Sequence, residues 1–368
     1  MLERNMKRIS ILIFFVLIFF GKVFSQTHDA ILKTGFVIQI WSIENLNNPI
    51  SENTFPIEII YPVKENLNIQ FNHSPAMSRF GSINLSGFSD TWIRSTYTFL
   101  NNQALVSIGL GLPTGKTELN ASEMSLSTLL SQNAFKFRLP VFGQGLTLSG
   151  GAMYAHPINE KIAVGAGINY VIRGKYKYSK LQNDEYNPGD QIGINFGFDY
   201  LIIQTLHSNV DLIFNFYTAD RLNTTKMFKS GTKVIAKIGL QYQTSFGYLW
   251  MRAYHGSKAK NETWDGQVLA PDDKNYNITL RELEIGARIV LTEIFSILTS
   301  GEIRSYAEND VKKGWIDIFG GGLGYELQMS KRFAISMGAK LFFGDGEFMN
   351  TIPSFSGFEL QFGTQWKF

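Results

Sequence analysis

The feature that most constrains this chain is a period-two alternation recurring in stretches of about ten residues. At the C-terminal end, Phe358, Leu360, Phe362, Thr364, Trp366 and Phe368 alternate with Gly357, Glu359, Gln361, Gly363, Gln365 and Lys367. Successive side chains of a strand point to opposite faces, so this pattern makes one face apolar and the other polar or small. Ile162 to Ile172, Ile192 to Tyr200, Leu283 to Leu291 and Phe333 to Phe343 repeat it. Beyond the N-terminal segment no run reaches 18 consecutive apolar residues, which excludes transmembrane helices. A soluble sandwich with its apolar face inward and a membrane barrel with that face outward both satisfy the alternation.

The connections separate the two. Long ones fall near 344–356, 305–314, 256–278, 218–230, 173–190 and 111–145. Short ones fall near 329–331, 291–293, 243–245, 202–207, 156–160 and 100–102. Strict long-short parity is what external loops and periplasmic turns of an outer-membrane barrel produce, and a sandwich has no reason to keep it. The N-terminus agrees. Arg4, Lys7 and Arg8 precede the apolar run from Ile9 to Phe20, and Val23-Phe24-Ser25 offers a cleavage site before Gln26. Twelve apolar residues are too few to cross the bilayer as a helix, so residues 1–25 read as a signal peptide. The aromatic Phe368 closing an amphipathic strand resembles the recognition signal of bacterial outer-membrane barrels, which implies the barrel-assembly machinery as a partner.

Residues 1–25 hold four basic residues and one acid, leaving 30 basic and 30 acidic residues in the rest. A neutral chain gives no case for nucleic-acid binding. With no cysteine, a disulfide framework, thiolate zinc, cysteine catalysis and a lipid anchor are excluded. The expected fold is therefore all-β, a transmembrane antiparallel barrel of about 14 strands, with 12 to 16 open, in outer-membrane lipid. Residues 66–368 form the barrel. Residues 26–65, with strand candidates Gly35–Ser42 and Phe55–Tyr61, are either wall strands or a lumen plug.

Chemistry-bearing motifs are sparse. Histidines stand singly at 28, 73, 156, 207 and 255. Asp184-Glu185 and Asp272-Asp273 lie in long loops and have the chemistry to hold a divalent cation, but solvated acids are the ordinary reading. Gly320-Gly321-Gly322-Leu323-Gly324 has no Lys-Ser/Thr ending and no following helix, so it is no phosphate loop. No catalytic, metal or cofactor site is expected, and the chain does not read as an enzyme. Alternation places Glu282, Glu284, Arg288, Glu302, Arg304, Glu326, Lys340 and Glu359 toward the lumen, either bracing the wall in pairs or lining a path. Their mixed signs argue against a strongly selective ion pore. In the loop from Pro113 to Gly145, Asn120 with Glu123 makes a capping-box start. Met124, Leu126, Leu129 and Leu130 give the short helix that follows an apolar side. That helix either caps the rim or narrows an access site for an apolar ligand.

Several motifs stand in a telling order: Leu85-Ser86-Gly87-Phe88-Ser89-Asp90, a strand from Trp92 to Phe99, an Asn101-Asn102 turn, and Leu112-Pro113-Thr114-Gly115-Lys116. Leu139-Pro140, Phe142-Gly143-Gln144-Gly145 and Tyr186-Asn187-Pro188-Gly189-Asp190 follow. This order resembles the outer-membrane transporter family of the meta-cleavage pathway of phenol degradation, itself related to long-chain fatty-acid and hydrocarbon channels. The resemblance implies passive uptake of small hydrophobic or aromatic molecules without a cofactor. It carries over no defined binding residue. The Asn-Pro-Ala hatch of the fatty-acid channels has only Asn48-Pro49-Ile50 as its nearest string. The alternative is a structural or surface-interaction barrel with a closed lumen.

Overall fold

The computed structural model describes residues 29–368 except 133, 140, 181, 182, 308 and 349. Residues 1–25, read above as a signal peptide, therefore lie outside the described residues. Sixteen antiparallel strands form the wall. They are β1 (Ile31–Ile43), β2 (Ile50–Thr54 and Ile57–Lys64), β3 (Leu67–His73 and Pro75–Phe80) and β4 (Ile83–Phe88 and Thr91–Phe99). Next come β5 (Ala104–Leu112), β6 (Thr147–Pro157), β7 (Ile162–Arg173), β8 (Gln191–Ile203), β9 (Leu206–Tyr217) and β10 (Lys233–Thr244). The circle ends with β11 (Gly247–Lys258), β12 (Thr279–Thr292), β13 (Phe295–Ala307), β14 (Ile316–Ser330), β15 (Phe333–Gly346) and β16 (Ser354–Lys367). Each pairs with its sequence neighbour, and β1 closes on β16 through 13 residue pairs, from Ile31↔Lys367 to Ile43↔Phe355. Fourteen strands follow residue 66, and β1 and β2 add two to the expected 14. Pro56 and Pro62 interrupt the alternation there, which leaves wall and plug both open for two candidates that the ladder takes into the wall.

The outward rows are the apolar ones. Ile108, Leu323, Phe343, Ile285 and Phe319 are all more than half exposed. Continuous exposed apolar surface of this kind faces lipid, not water. Outward aromatics gather at the end bearing the short turns: Tyr97 with Phe99, Phe198 with Tyr200, Phe295 with Tyr325, and Phe333 with Trp366, whose ring centroids lie 4.2 Å apart. Phe368 ends the same outward row as Trp366. Tyr170, Phe216 and Phe343 mark the other margin. Phe333 and Phe343 are ten residues apart, roughly 33 Å along a strand. At a tilt of about 40° that is about 25 Å in height, the thickness of an outer-membrane apolar band.

The turns at one end are short, while the other end carries 113–146, 174–190, 218–232 and 259–278. One connection on the long side is tight: 81–82 joins the halves of the β3–β4 hairpin. Short strands from three of the long loops, including Glu185–Asn187, Ala219–Leu222 and Thr225–Lys229, pair into a second, six-stranded sheet above the mouth.

Candidate functional site

The site starts at a break in the wall. Between the two runs of β4, the pairing with β3 shifts by one residue at Ser89-Asp90. A bulge re-aims side chains, and here it presents the Asp90 carboxylate to the loop from β5 to β6. One oxygen accepts the Gly115 N–H at 2.9 Å and the other the Gln144 N–H at 2.7 Å. Asp90 thus clasps both ends of a loop of more than 30 residues. Thr114 Oγ1 accepts from the Thr91 N–H at 2.9 Å beside it. The clasp needs glycine, because a Cβ on Gly115 would lie 2.2 Å from the Phe142 carbonyl oxygen.

From this neck the chain enters the barrel. Helix α1 (Ala121–Leu130) starts on the expected capping box, with Glu123 N–H donating to Asn120 Oδ1 at 2.9 Å and Asn120 N–H to the Glu123 carboxylate at 3.0 Å. Lys116 pairs with the same carboxylate at 2.6 Å. Burial raises the Glu123 pKa, but the bonds from Lys116 and the Asn120 N–H outweigh it and hold the carboxyl below its ordinary value. Leu126, Leu129 and Leu130 are buried in an apolar cluster with the inward-facing Leu85, Trp41, Ile318 and Phe342. Met124 faces a separate cavity of about 250 Å³ between helix and rim. The helix is thus packed into the mouth, and three of its four expected apolar contacts are spent on packing.

After the helix, 134–139 runs as a strap across the lumen. The Arg138 N–H donates to Gln39 Oε1 at 2.9 Å and the Leu139 N–H to Glu52 Oε1 at 3.0 Å. Arg304 donates to the Ala134 carbonyl at 3.0 Å, and Gln39 to that of Lys136 at 3.2 Å. Lys136 pairs with Glu282 at 2.7 Å and Arg138 with Glu359 at 3.1 Å. Phe135 is fully buried against Trp41, Phe348 and Phe355. Backbone polar groups inside a barrel need such partners, and inward glutamate and glutamine supply them.

All eight lumen candidates therefore face inward; six bond to the strap or to each other beside it, and Arg288 and Glu326 form a pair of their own. Arg304 pairs with Glu302, Lys340 reaches Glu302 at 3.1 Å and Glu284 at 3.7 Å, and Arg288 pairs with Glu326 at 3.0 Å. Sequence reasoning missed Gln39, Glu52 and the strap itself. A signal existed: Phe135-Lys136-Phe137-Arg138-Leu139 alternates apolar and basic residues inside a loop, the pattern of a chain with one face on grease and one on acids.

The anchors of 134–139 fall on β1, β2, β12, β13 and β16, so the strap is eccentric. The opposite wall is barest over β5 to β8, which point Gly109, Gly151, Gly165, Gly167, Gly193 and Gly197 inward, whereas β11 turns Tyr248, Trp250, Arg252 and Tyr254 into the bore. A Cβ on Gly193 would sit 2.1 Å from Asn169 Oδ1, which lies across it. Asp199, Lys237 and Gln241 on this side are exposed. Above it opens a vestibule of about 710 Å³ ringed by Tyr176, Tyr186, Tyr217, Tyr254, Tyr276 and Tyr306. Of these only Tyr186 stood in a sequence motif, because the six lie on five strands and a loop.

No protein-family model and no curated protein sequence matches the chain. Solved structures do. OprB of Pseudomonas putida superposes over 92% of this chain and 94% of its own at 9% identity, with a TM-score of 0.51. This chain is an outer-membrane β-barrel. The CymD monoaromatic hydrocarbon channel aligns over 94% of this chain and 90% of its own at 11% identity and a TM-score of 0.47. An outer membrane channel of Pseudomonas putida F1 aligns over 93% and 96% at 10% identity and a TM-score of 0.40. At these identities the likeness is one of fold.

Proposed function

We propose that the barrel is a passive outer-membrane channel for small hydrophobic or aromatic molecules. The observation that carries this reading is the eccentric strap. It is bonded to one side of the bore and leaves the glycine-lined face of β5 to β8 for the passage. A barrel serving only as a scaffold has no need of one wall stripped of bulk while the other is filled. The aromatic part of the reading rests on the tyrosine ring at the mouth, whose faces suit flat solutes and whose hydroxyls keep it wetted. It also draws on the motif order resembling the phenol-pathway transporters. Residues 88–91, 114–116 and 142–144 of that order meet at the Asp90 clasp, and 186–190 line or support the vestibule.

Phenol uptake into proteoliposomes tests it, with a sugar of similar size as comparison and an unrelated closed barrel as control. Phenol entering faster than the sugar, and both faster than through the control, is the expected result. Entry of neither above the control would refute the channel and favour the closed-lumen scaffold.

A further inference from the structure

The vestibule is lined by three cations, Arg173, Lys233 and Lys258, against a single acid, Asp220. Lys233 and Lys258 sit directly opposite each other on β10 and β11 and both line the cavity. Like charges at opposed strand positions destabilise a sheet. Among the described residues neither ammonium has a carboxylate in ion-pair distance. Lys258 lies over the Phe228 ring at 5.9 Å and feels the attraction of Asp220, but that one acid is shared with other donors. Asp220 accepts the Gly189 N–H at 2.7 Å on one oxygen and the Tyr186 hydroxyl on the other. Arg173, the third cation, is committed to the Gly189 carbonyl at 3.2 Å and to Gln191 at 3.0 Å.

We propose that this vestibule binds aromatic carboxylates, with the carboxylate between Lys233 and Lys258 and the ring among the tyrosines. This rests on the channel reading and names the solute class that its mouth selects. The two oxygens of one carboxylate can accept charge-assisted hydrogen bonds from both ammonium groups at once. An uncharged sugar would leave the lysine repulsion in place. Inorganic phosphate would relieve it but would leave the aromatic walls unused. The cavity is in the size range of small-molecule sites and is far larger than a bare anion needs.

Calorimetric titration of the folded, detergent-solubilised barrel with benzoate, cyclohexanecarboxylate, phosphate and phenol tests this directly. Benzoate is expected to bind saturably and more tightly than the other three. Lys233→Gln with Lys258→Gln should weaken it roughly tenfold or more, as loss of charge-assisted hydrogen bonds implies. Lys233→Glu supplies an internal counter-ion for Lys258, so it should fold at least as well and also lose benzoate binding. No saturable benzoate binding, phosphate binding as tightly as benzoate, or unchanged affinity in Lys233→Glu would each overturn the proposal. Phenol uptake into proteoliposomes by the same preparation keeps the two readings apart. Uptake without benzoate binding sinks this inference alone, whereas no uptake sinks the channel itself.

Discussion

At the scale of single residues, Asp90 carries the heaviest duty, because two backbone N–H groups from opposite ends of one loop depend on its carboxylate. Asp90→Ala orphans both, at roughly 1–3 kcal/mol each where water cannot replace the bond. The expected outcome is rapid proteolysis within 113–146 while the barrel stays folded by heat-modifiable gel mobility; a loop as resistant as wild type would contradict it. Glu123 gives a pH dependence. Its pKa is lowered in the fold, so its contribution is complete above the ordinary value of 4.5 and is lost as the pH falls through the lower folded value. Amide exchange in 121–130, corrected for intrinsic rate, should therefore be slow at neutral pH and accelerate below about pH 4.5; an unchanged profile would refute the tether. The sequence displayed both residues differently. Asn120 and Glu123 announce a capping box by spacing alone, and it formed as read. Asp90 looked like one acid among others, because the groups it binds lie 25 and 54 residues away.

At the scale of elements, the strands were readable and the strap was not. Alternation reports which face of a strand is apolar, and in β12 to β16 it placed every inward charge. It does not report what those charges bind. Half of the answer, Lys136 and Arg138, sits in a loop outside the strand pattern. The N-terminal strands were ambiguous for a related reason. Pro56 costs the ladder a donor and breaks the pattern, yet β1 and β2 hold their register across it. The strap is also where a mutation should act on one element without touching the wall. Phe135→Ala removes the ring at the centre of its apolar contacts, a loss of roughly 3–5 kcal/mol for a fully buried phenylalanine. Because the β1–β16 closure does not involve Phe135, the expected signature is a new low-temperature unfolding step for the strap beneath an unshifted barrel transition. A single transition lowered as a whole would show that strap and wall unfold as one unit.

At the scale of the whole molecule, parity of connection length separated a membrane barrel from a sandwich. The outward apolar band with its aromatic margins is the physical counterpart of that parity. The account's central claim concerns the inside: the strap is bound to one wall and a passage remains along the other. The most direct test is current through single barrels in a planar bilayer. Wild type is compared with a variant in which 132–138 is replaced by a glycine-serine linker, both verified as folded and inserted. The account predicts a stable open conductance for wild type that rises in the variant. An inserted wild-type barrel that carries no current, whatever the variant does, would contradict it.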